Sequence, residues 1–409
     1  MSERVRAESG SLVLTGPAFF QDPYPTYARL RAKPEPFYND ATHAWMITRH
    51  ADVESVLRDS RISKKIQRAT ATSFETSVLF RDPPDHGRIR GLLNRVFAEI
   101  SEKLEDRVLR IADGLIDRMM EDRKADFIRD FALPLPVAVI AELLGVPLKN
   151  TEQLHAWSSE FIVKDGIPQA EIDRRQYAAI CAMDEYFRTL IASGPVGGMI
   201  GALLRAIPAG DTLSQDELIG NCILLMVAGH ETTVNLLGNG LYLMLQDRDR
   251  FELVSRDLSL LPRTIEETLR FELPVQLGTF RVAVEAIQIG GQTITPGELT
   301  TAVIGSANRD PEVFPEPDVF DLGRISPQYL IFGGGPHRCI GAQLARTEAL
   351  VGFTRLFERL PNVALQTVPP TWLGSALNRI GIGSEVKPFA PLWRRTPVTR
   401  GLVEMKISL

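Results

Sequence analysis

The stretch Phe-Gly-Gly-Gly-Pro-His-Arg-Cys-Ile-Gly at 332–341 constrains this chain more than any other part of its sequence. It places Cys339 at the end of a glycine-rich loop, directly before a run at 342–360 whose apolar residues recur at helical spacing. The N–H groups and positive dipole end of a helix start favour an anion, and His337 and Arg338 add positive charge. We therefore expect a Cys339 thiolate, in a loop whose glycines let another group approach the backbone closely.

Other uses of this loop fit its residues less well. A lone intracellular cysteine is most often a buried small apolar residue, and this stays the alternative if Cys339 is taken without its neighbours. A phosphate-binding loop requires Gly-Lys-Ser/Thr after its glycines, which this loop lacks. His337 and Cys339 supply fewer ligands than a zinc site needs, and the sequence has no Cys-x-x-Cys redox pair.

A second constraint is a long apolar run, which predicts one helix from about Gln215 to Gln246. Ser214 and Glu217 have the capping-box spacing that starts a helix. At about 1.5 Å per residue the helix would be about 45 Å long, enough to cross a domain of this size. Because the sequence is apolar almost all round from 223 to 245, we expect the helix to be buried.

Polar residues interrupt the middle of this helix, in the sequence Ala-Gly-His-Glu-Thr-Thr at 228–233. Gly229 weakens the helix and permits a kink or bulge, a distortion that often marks a functional site. Glu231 and Thr232 place an acid beside an alcohol, and such a pair can hold water and relay protons. Two alternatives stay open: the Thr232 hydroxyl can bond back to its own helix, and Glu231 can form a structural ion pair.

Three other charged patterns stand out. The sequence Asp-Pro-Pro-Asp-His at 82–86 opens a helix that carries Arg90. The basic residues of this helix can bind an anion, or they can form an ordinary solvated face. Arg281 has apolar neighbours, so its guanidinium needs an anionic partner. Glu267 and Arg270 are three residues apart and share one helix face, a spacing that is common on exposed helices.

Charge and cysteine content exclude several classes of function. The formal net charge of −5 and the pI of about 5.8 imply no global attraction to nucleic acid. Three widely spaced cysteines do not make a disulfide framework and suit a reducing compartment. The polar N-terminus lacks a signal-peptide core, and the longest strongly apolar run, 222–229, is too short to span a bilayer. We expect a soluble, cytoplasmic protein without membrane insertion.

Together these patterns resemble the cytochrome P450 family. The Phe-Gly-x-Gly-x-His-x-Cys-x-Gly spacing at 332–341 is similar to its haem-ligand loop, and three further motifs occur in the family's order. The resemblance implies haem b as the cofactor, with the Cys339 thiolate as axial ligand of the iron. It also implies that Thr232 steadies bound oxygen and that Glu231 helps to deliver protons. The Glu-x-x-Arg motif that begins at Glu267 would be structural.

The resemblance assigns further residues to the cofactor. The helix opened by 82–86 would lie under the haem, with His86 and Arg90 at positions that contact a propionate. Arg281 and His337 would hold propionates as well. The full set of expected haem contacts is His86, Arg90, Ala228, Gly229, Arg281, Phe332, His337, Cys339 and Gly341.

The expected substrate pocket consists of small or apolar residues. This composition suits a hydrophobic ligand such as a terpenoid, steroid, fatty acid or polyketide. Helices between 151 and 206, broken at 166–168 and 194–198, would form a mobile cover over the pocket. The expected pocket residues are Leu79, Leu225, Ala228, Val275, Leu277 and Gly278.

The implied fold is mainly α with a smaller β-rich portion, and the long helix passes over the haem. Length alone suggests two or three domains. The resemblance instead covers 22–409 as one catalytic domain, after an irregular lead-in at 1–21. The stretch 374–388 is longer than the family usually has at that position, and so departs from its pattern.

The implied function is that of a bacterial-type haem-thiolate monooxygenase, which inserts one atom of O₂ into an organic substrate by hydroxylation or epoxidation. The sequence shows no flavin or iron–sulfur domain, so the electrons would come from a separate ferredoxin- or flavodoxin-type donor and its reductase. Arg338, Arg346 and Arg95 are expected to face an acidic donor. Two rivals are a peroxide-driven oxygenase, which the acid–alcohol pair disfavours, and a non-catalytic haem-binding sensor.

Overall fold

The computed structural model describes most of the chain. The expected extension at 374–388 lies outside the described residues, as does most of the lead-in at 1–21. The described residues are 14–66, 72–101, 104–122, 124–162, 165–206, 213–325, 328–366 and 389–409.

Helices dominate the described residues, and none of them is long and apolar enough to cross a membrane. Several begin with proline in the first turn, where its missing N–H would have no partner within the helix. The α-helices are α1 (Pro17–Gln21), α2 (Tyr24–Arg31), α3 (His50–Arg58), α4 (Asp85–Ser101), α5 (Leu104–Asp122), α6 (Pro134–Leu144), α7 (Thr151–Ser158), α8 (Gln169–Ala192), α9 (Gly198–Ala206), α10 (Gln215–Leu245), α11 (Arg248–Arg256), α12 (Leu261–Phe271), α13 (Ile304–Ala307) and α14 (Ala342–Arg359). Short 3₁₀ turns lie at Ser73–Thr76, Val78–Phe80, Leu148–Asn150, Ser159–Phe161, Leu258–Leu260 and Gly335–His337, and a π-turn lies at Ile128–Ala132.

The strands are short and form three small sheets. They are β1 (Phe37–Asn39), β2 (Ala44–Ile47), β3 (Ile62–Ser63), β4 (Lys124–Asp126), β5 (Arg281–Ala283), β6 (Ile287–Ile289), β7 (Gln292–Ile294), β8 (Leu299–Ala302), β9 (Ala364–Leu365) and β10 (Lys406–Ser408). The largest sheet has the order β1-β2-β8-β5-β3, with β2 and β8 parallel and Trp45 opposite Thr300. The second has the order β4-β10-β9, and β6 and β7 form a hairpin. Gly290 and Gly291 turn this hairpin with φ of 55° and 85°, the positive values that a type I′ turn needs.

The long helix predicted from 215 to 246 is α10, which continues without interruption to Leu245. Its capping box is formed: the Glu217 amide donates to Ser214 Oγ at 3.1 Å, and the Ser214 amide donates to the Glu217 carboxylate at 2.9 Å. The helix contacts α6, α8 and the turn Ser73–Thr76. Most of its side chains are buried, as the sequence predicts.

Two hydrophobic clusters fill the described part of the molecule. The larger one surrounds α10 and includes Ile116, Phe131 and Phe353. The smaller one gathers around β2 and β8 and includes Trp45 and Ile47. The predicted class, mainly α with a smaller β-rich portion, is therefore confirmed.

Glu267 and Arg270 of α12 form a buried ion pair with an N–O distance of 2.7 Å. Arg270 also donates to the carbonyl oxygens of Asn308, Pro317 and Val319 at 3.2, 2.8 and 3.1 Å. These carbonyl groups lie in the irregular segment that leads towards the cysteine loop. The pair thus ties that segment to the helical core.

The segment 124–126 differs from the sequence prediction. Taken alone, the sequence at 101–147 predicts two helices joined by a turn at 124–126; in the structure this segment is β4 and pairs with β10, so that Asp126 lies opposite Lys406. The sequence Lys-Ala-Asp has none of the β-branched or aromatic residues that indicate a strand. Its strand conformation depends on a partner at the other end of the chain.

We predict that Arg270→Ala lowers the free energy of unfolding by about 3–5 kcal/mol, because buried Glu267 keeps only Arg324, at 3.2 Å, as a cationic partner and three carbonyl groups lose their donor. Urea unfolding of the holoenzyme, followed by far-ultraviolet circular dichroism, measures the loss. Arg248→Ala is the matched control. Arg248 pairs with Glu252 at 3.0 Å on the solvent-exposed side of α11, and its loss should cost less than about 1 kcal/mol. Equal losses in both variants would contradict the supporting role of the buried pair.

Candidate functional site

The cysteine loop, residues 332–341, folds back on itself before α14. The Cys339 amide donates to the Phe332 carbonyl oxygen at 2.8 Å and closes the loop. Gly333 and Gly335 have φ of 70° and 64°, which glycine adopts without strain. A Cβ at Gly335 would lie 2.7 Å from the Leu57 carbonyl oxygen, so glycine is what lets the loop lie against α3.

In the protein alone, the protonation of the Cys339 sulfur differs from the sequence expectation. The residue is exposed, yet the protein around the sulfur raises its pKa by desolvation. The Gly341 amide and the charges of Arg90, Arg346 and Arg338 act in the opposite direction but do not outweigh this effect. The thiolate is confirmed as the haem ligand of the family, but the causes that the sequence indicates, a helix start and positive charge, do not outweigh desolvation in the protein alone. Bound iron would reverse the balance, because a coordinated thiol loses its proton.

The sequence predicts a positive charge on His337, and this prediction is wrong for the protein alone. Burial first, and then His86, Arg281 and Lys64, lower the pKa of His337 to about 3, so its ring is neutral at pH 7. Its ring centroid lies 4.2 Å from that of His86. Burial and Arg90 lower the pKa of His86 as well. His86 Nε2 is buried and has no hydrogen-bond partner among the described residues.

Lys64 belongs to the same site, and sequence analysis missed it. The residue is 2% exposed, and its Nζ donates to the carbonyl oxygens of Thr279 and Phe280 at 3.2 and 3.3 Å. Burial and then the charge of Arg281 hold its pKa well below the usual value. In the sequence it is one of two adjacent lysines in a polar loop, and nothing local distinguishes it from the exposed Lys65.

Lys64, His86, Arg281 and His337 form what we call the cationic cluster. Arg281, on β5, is buried, and burial lowers its pKa to about 10 although Asp82 acts against this shift. In the described part of the chain no carboxylate forms an ion pair with Arg281. The Lys64 ammonium already donates to the carbonyl oxygens of Thr279 and Phe280 and to the Thr279 hydroxyl, so the unused buried donors among the described residues are those of Arg281 and His86. This donor set fits a ligand with two carboxylates, as haem is with its propionates.

Arg90 of α4 contacts the cysteine loop directly. Its Nη2 donates to the Arg338 carbonyl oxygen at 2.7 Å, and its Nε donates to Asn94 Oδ1 at 3.0 Å. Burial lowers its pKa, and Cys339 acts in the opposite direction. Arg90 thus braces the loop that carries the cysteine, and its guanidinium retains N–H donors for a further acceptor.

Arg346 was expected to face an electron donor, but α14 places it in an internal contact. Its Nε donates to Glu266 Oε1 at 2.6 Å, and its guanidinium lies 4.4 Å from the centre of the Phe332 ring. Its side chain is 26% exposed. Arg338 and Arg95 are exposed, as expected for that surface.

The middle of α10 is accessible along one face. Leu224, Ala228 and Thr232 are spaced four residues apart and are half-buried or exposed, in a helix that is otherwise mostly buried. Thr232 Oγ1 donates to the Ala228 carbonyl oxygen at 3.2 Å, the alternative that the sequence left open. The expected bulge is absent from this fully described helix. A Cβ at Gly229 would lie 2.9 Å from Ile140 Cδ1, so close packing against α6 explains the glycine.

Glu231 is buried and has two neighbours that the sequence did not suggest. Its Oε2 accepts a hydrogen bond from Arg394 Nη1 at 2.8 Å, across 163 positions of the chain. This is the ion pair that the sequence left open as an alternative. Its Oε1 lies 4.0 Å from Nε2 of the fully buried His230. His230 Nε2 lies in turn 3.2 Å from Nδ1 of His155 on α7.

The expected pocket residues come from three parts of the chain. Leu79 lies on the turn Val78–Phe80, two residues lie on α10, and the other three follow α12. Near Leu79, Phe74 belongs to the buried core, and its ring centroid lies 5.3 Å from that of Phe80 and 5.4 Å from that of Phe161. Leu225 and Leu277 are buried, whereas Leu79, Ala228, Val275 and Gly278 are partly or fully exposed.

Known proteins match this chain over almost its whole length. The family model described as cytochrome P450 matches residues 199–371. Cytochrome P450 107B1 of Saccharopolyspora erythraea is 40% identical over 398 residues, which cover 91% of this chain and 96% of that protein. Vitamin D(3) 25-hydroxylase of Pseudonocardia autotrophica is 39% identical over 407 residues, covering 96% and 94%. The crystal structure of CYP109E1 from Bacillus megaterium with testosterone aligns with a TM-score of 0.86 at 29% identity, covering 96% and 98%.

These matches cover 91–96% of this chain. The predicted cofactor, haem b with a cysteine thiolate ligand, is confirmed as that of the family. The predicted enzyme class, a monooxygenase, is confirmed as well. With 40% identity over 91% of its length, this chain belongs to the cytochrome P450 family.

Proposed function

We propose that this enzyme inserts one atom of O₂ into a hydrophobic small molecule, while the other atom leaves as water. The observation that carries the proposal is the position of the cysteine loop, with its half-buried His337, beside three buried basic side chains, which together fit the carboxylates of a haem. The hydroxylase relative is named for vitamin D(3), and the aligned crystal structure contains testosterone. These are apolar, multi-ring molecules, and we infer an apolar substrate of similar size for this chain. The region 22–409 would act as one catalytic domain.

Haem b, when bound, supplies the activation of O₂. Cys339 would hold its iron, and the cationic cluster would hold its propionates. Arg281 and Lys64 would contribute charge, and the neutral rings of His86 and His337 would each contribute one N–H donor. Each group carries a desolvation cost in the folded protein, and this cost is offset when a carboxylate is bound beside it.

Thr232, on the accessible face of α10, and the buried Glu231 beside it would manage protons. The Thr232 hydroxyl donates to the Ala228 carbonyl oxygen, and rotation about its Cα–Cβ bond would turn it towards the exposed face. Glu231 is held by Arg394, so its carboxylate must leave that ion pair before it faces Thr232. The two residues therefore need small side-chain movements and no change of the helix.

Replacement of Cys339 tests the proposed function. We expect the reduced carbon-monoxide complex of the wild-type protein to show the red-shifted Soret band of thiolate ligation, and Cys339→Ala to lose it. Cys181→Ala is the control, because Cys181 is an exposed cysteine in α8. Products formed from testosterone or vitamin D(3) under ¹⁸O₂, with NADPH, a ferredoxin and its reductase, should carry one labelled oxygen atom.

Three results would contradict this proposal. The first is a protein that stays colourless after haem supplementation. The second is a carbon-monoxide complex without the thiolate band. The third is oxygen insertion with peroxide but none with reductant and donor, which would make the enzyme a peroxide-driven oxygenase.

Lys64 provides a second prediction, independent of turnover. We expect Lys64→Met to increase the rate of haem transfer to excess apomyoglobin about tenfold or more, because it removes a charge-assisted donor of about 1.5–3 kcal/mol. Lys65→Met is the matched control, since Lys65 is the exposed neighbour in the chain. The change in the Soret absorbance after mixing measures the transfer. If the two variants lose haem at the same rate, Lys64 is not a propionate ligand.

We also propose that an acidic ferredoxin or flavodoxin binds beside the cysteine loop. Arg338 is exposed. The side chain of Arg58 at the end of α3 is 61% exposed and pairs with Glu54 at 3.1 Å. A Cβ at Gly335 would lie 3.2 Å from the Arg58 Cα, so both arginines border the same loop. Arg95 is exposed on α4, whereas Arg346 is paired with Glu266 and contributes less. These basic residues stand out in a chain whose net charge is −5.

We expect Arg338→Glu to slow reduction of the holoenzyme by a plant- or bacterial-type ferredoxin about tenfold at low ionic strength. The effect should disappear at about 0.5 M salt, because screening removes the attraction between exposed charges. Stopped-flow mixing under carbon monoxide measures the rate, and the position of the carbon-monoxide band verifies that the haem site is unchanged. Arg248→Glu on α11 serves as control. A slowing that is the same at both salt concentrations would contradict electrostatic docking at Arg338.

A further inference from the structure

Two histidines and a serine lie behind the acid of α10. His155 and Ser158 belong to α7, and His230 and Glu231 belong to α10. Nitrogen atoms of both imidazoles and a carboxylate oxygen of Glu231 all lie within 4.8 Å of one another. His230 is completely buried, whereas His155 is half-buried. The group therefore connects the half-buried ring of His155, through His230, to the buried carboxylate of Glu231.

The hydrogen bonds give this group a direction. His230 Nδ1 lies 2.8 Å from the Met226 carbonyl oxygen, which can only accept, so Nδ1 carries a hydrogen and Nε2 of the neutral ring accepts. The Ser158 hydroxyl lies 3.0 Å from the His155 carbonyl oxygen and 3.2 Å from His230 Nε2, and we assign its single proton to the nearer carbonyl oxygen. His155 Nδ1–H is then the donor to His230 Nε2 at 3.2 Å. Nε2 of His155 is left as the basic nitrogen of the pair.

The charges around the two rings suit transient protonation. Burial is the largest cause that lowers the pKa of both rings, and the charge of Arg394 lowers both further. His155 also lowers the pKa of His230. The charge of Glu231 acts against these effects and raises the pKa of both rings. Both rings therefore favour the neutral form at pH 7. Two imidazoles and a carboxylate can also bind a metal ion, but here the Arg394 guanidinium already pairs with the Glu231 carboxylate at 2.8 Å.

We propose that His155 and His230 form the outer part of the proton-uptake route of this enzyme. A proton from solvent binds His155 Nε2, and the proton on His155 Nδ1 moves to His230 Nε2. His230 Nε2 then passes it to Glu231 Oε1, 4.0 Å away, either through one water or after a small rotation of the carboxylate. His155 returns to its first tautomer by exchange with solvent. This inference rests on the proposed function, in which each O₂ consumes two electrons from the donor and two protons.

The test separates proton transfer from positioning. The holoenzyme is turned over with NADPH, a surrogate ferredoxin and its reductase in the absence of any organic substrate, and the share of O₂ reduced to peroxide rather than water is measured. In His155→Asn, the side-chain amide N–H replaces the Nδ1–H donor to His230 but cannot relay a proton. We expect the ratio of water to peroxide to fall about tenfold in this variant.

His43→Asn is the matched control. His43 is exposed and has φ of 49°, a conformation that asparagine also tolerates, so this variant should keep the wild-type ratio. A second readout is ¹⁵N NMR of labelled histidine in the diamagnetic carbon-monoxide complex. It should show an accepting Nε2 on His230 in both the wild-type protein and His155→Asn. A His230 whose Nε2 carries a hydrogen in the wild type would overturn the proposed direction.

Two reference variants keep this inference distinct from the proposed function. Thr232→Ala and Glu231→Gln should each raise the share of peroxide. If they do so while His155→Asn behaves like the wild type, the histidine route is refuted and the proposed roles of Thr232 and Glu231 stand. If none of the three variants changes the ratio, those roles fail together with the route.

Discussion

The site depends on one sulfur atom at the end of a loop whose backbone is held by hydrogen bonds and close packing. The Cys339 amide is bonded to the Phe332 carbonyl oxygen within the loop, and Gly335 lies against the backbone of α3. From a third side, Arg90 holds the Arg338 carbonyl oxygen. Each contact uses the loop backbone, and the close approach to α3 requires glycine at position 335.

Desolvation, rather than local charge, sets the protonation of the groups around this loop. It raises the pKa of Cys339 and lowers those of Lys64, Arg281 and His337. A ligand that brings iron and two carboxylates favours the charged form of the thiol and of the two cations. Haem binding should therefore contribute to the stability of the fold, since any ligand that binds only the native state shifts the unfolding equilibrium.

What the sequence could predict is what neighbouring residues determine. The cysteine loop, the capping box at Ser214 and the uninterrupted apolar surface of α10 all follow from local spacing, and the structure contains them. The strand β4, the burial of Lys64 and the pairing of Glu231 with Arg394 depend on partners far along the chain. No local pattern separates such residues from ordinary surface lysines and arginines. The differences in protonation at Cys339 and His337 have a related cause, because desolvation is a property of the folded surroundings and cannot be read from neighbouring charges.

The contact between Arg394 and Glu231 links the C-terminal segment to the middle of α10. Arg394 is held in a hairpin in which its amide donates to the Gly401 carbonyl oxygen at 2.9 Å, and the Arg400 carbonyl oxygen accepts from Asn239 of α10 at 3.0 Å. The same hairpin reaches the pocket side through the bridge between Thr399 and Val275. Chimaeric enzymes that exchange C-terminal segments to alter substrate range would thus also exchange the partner of the α10 acid. Such grafts should be chosen to keep arginine at this position, or the efficiency of reductant use will change together with selectivity.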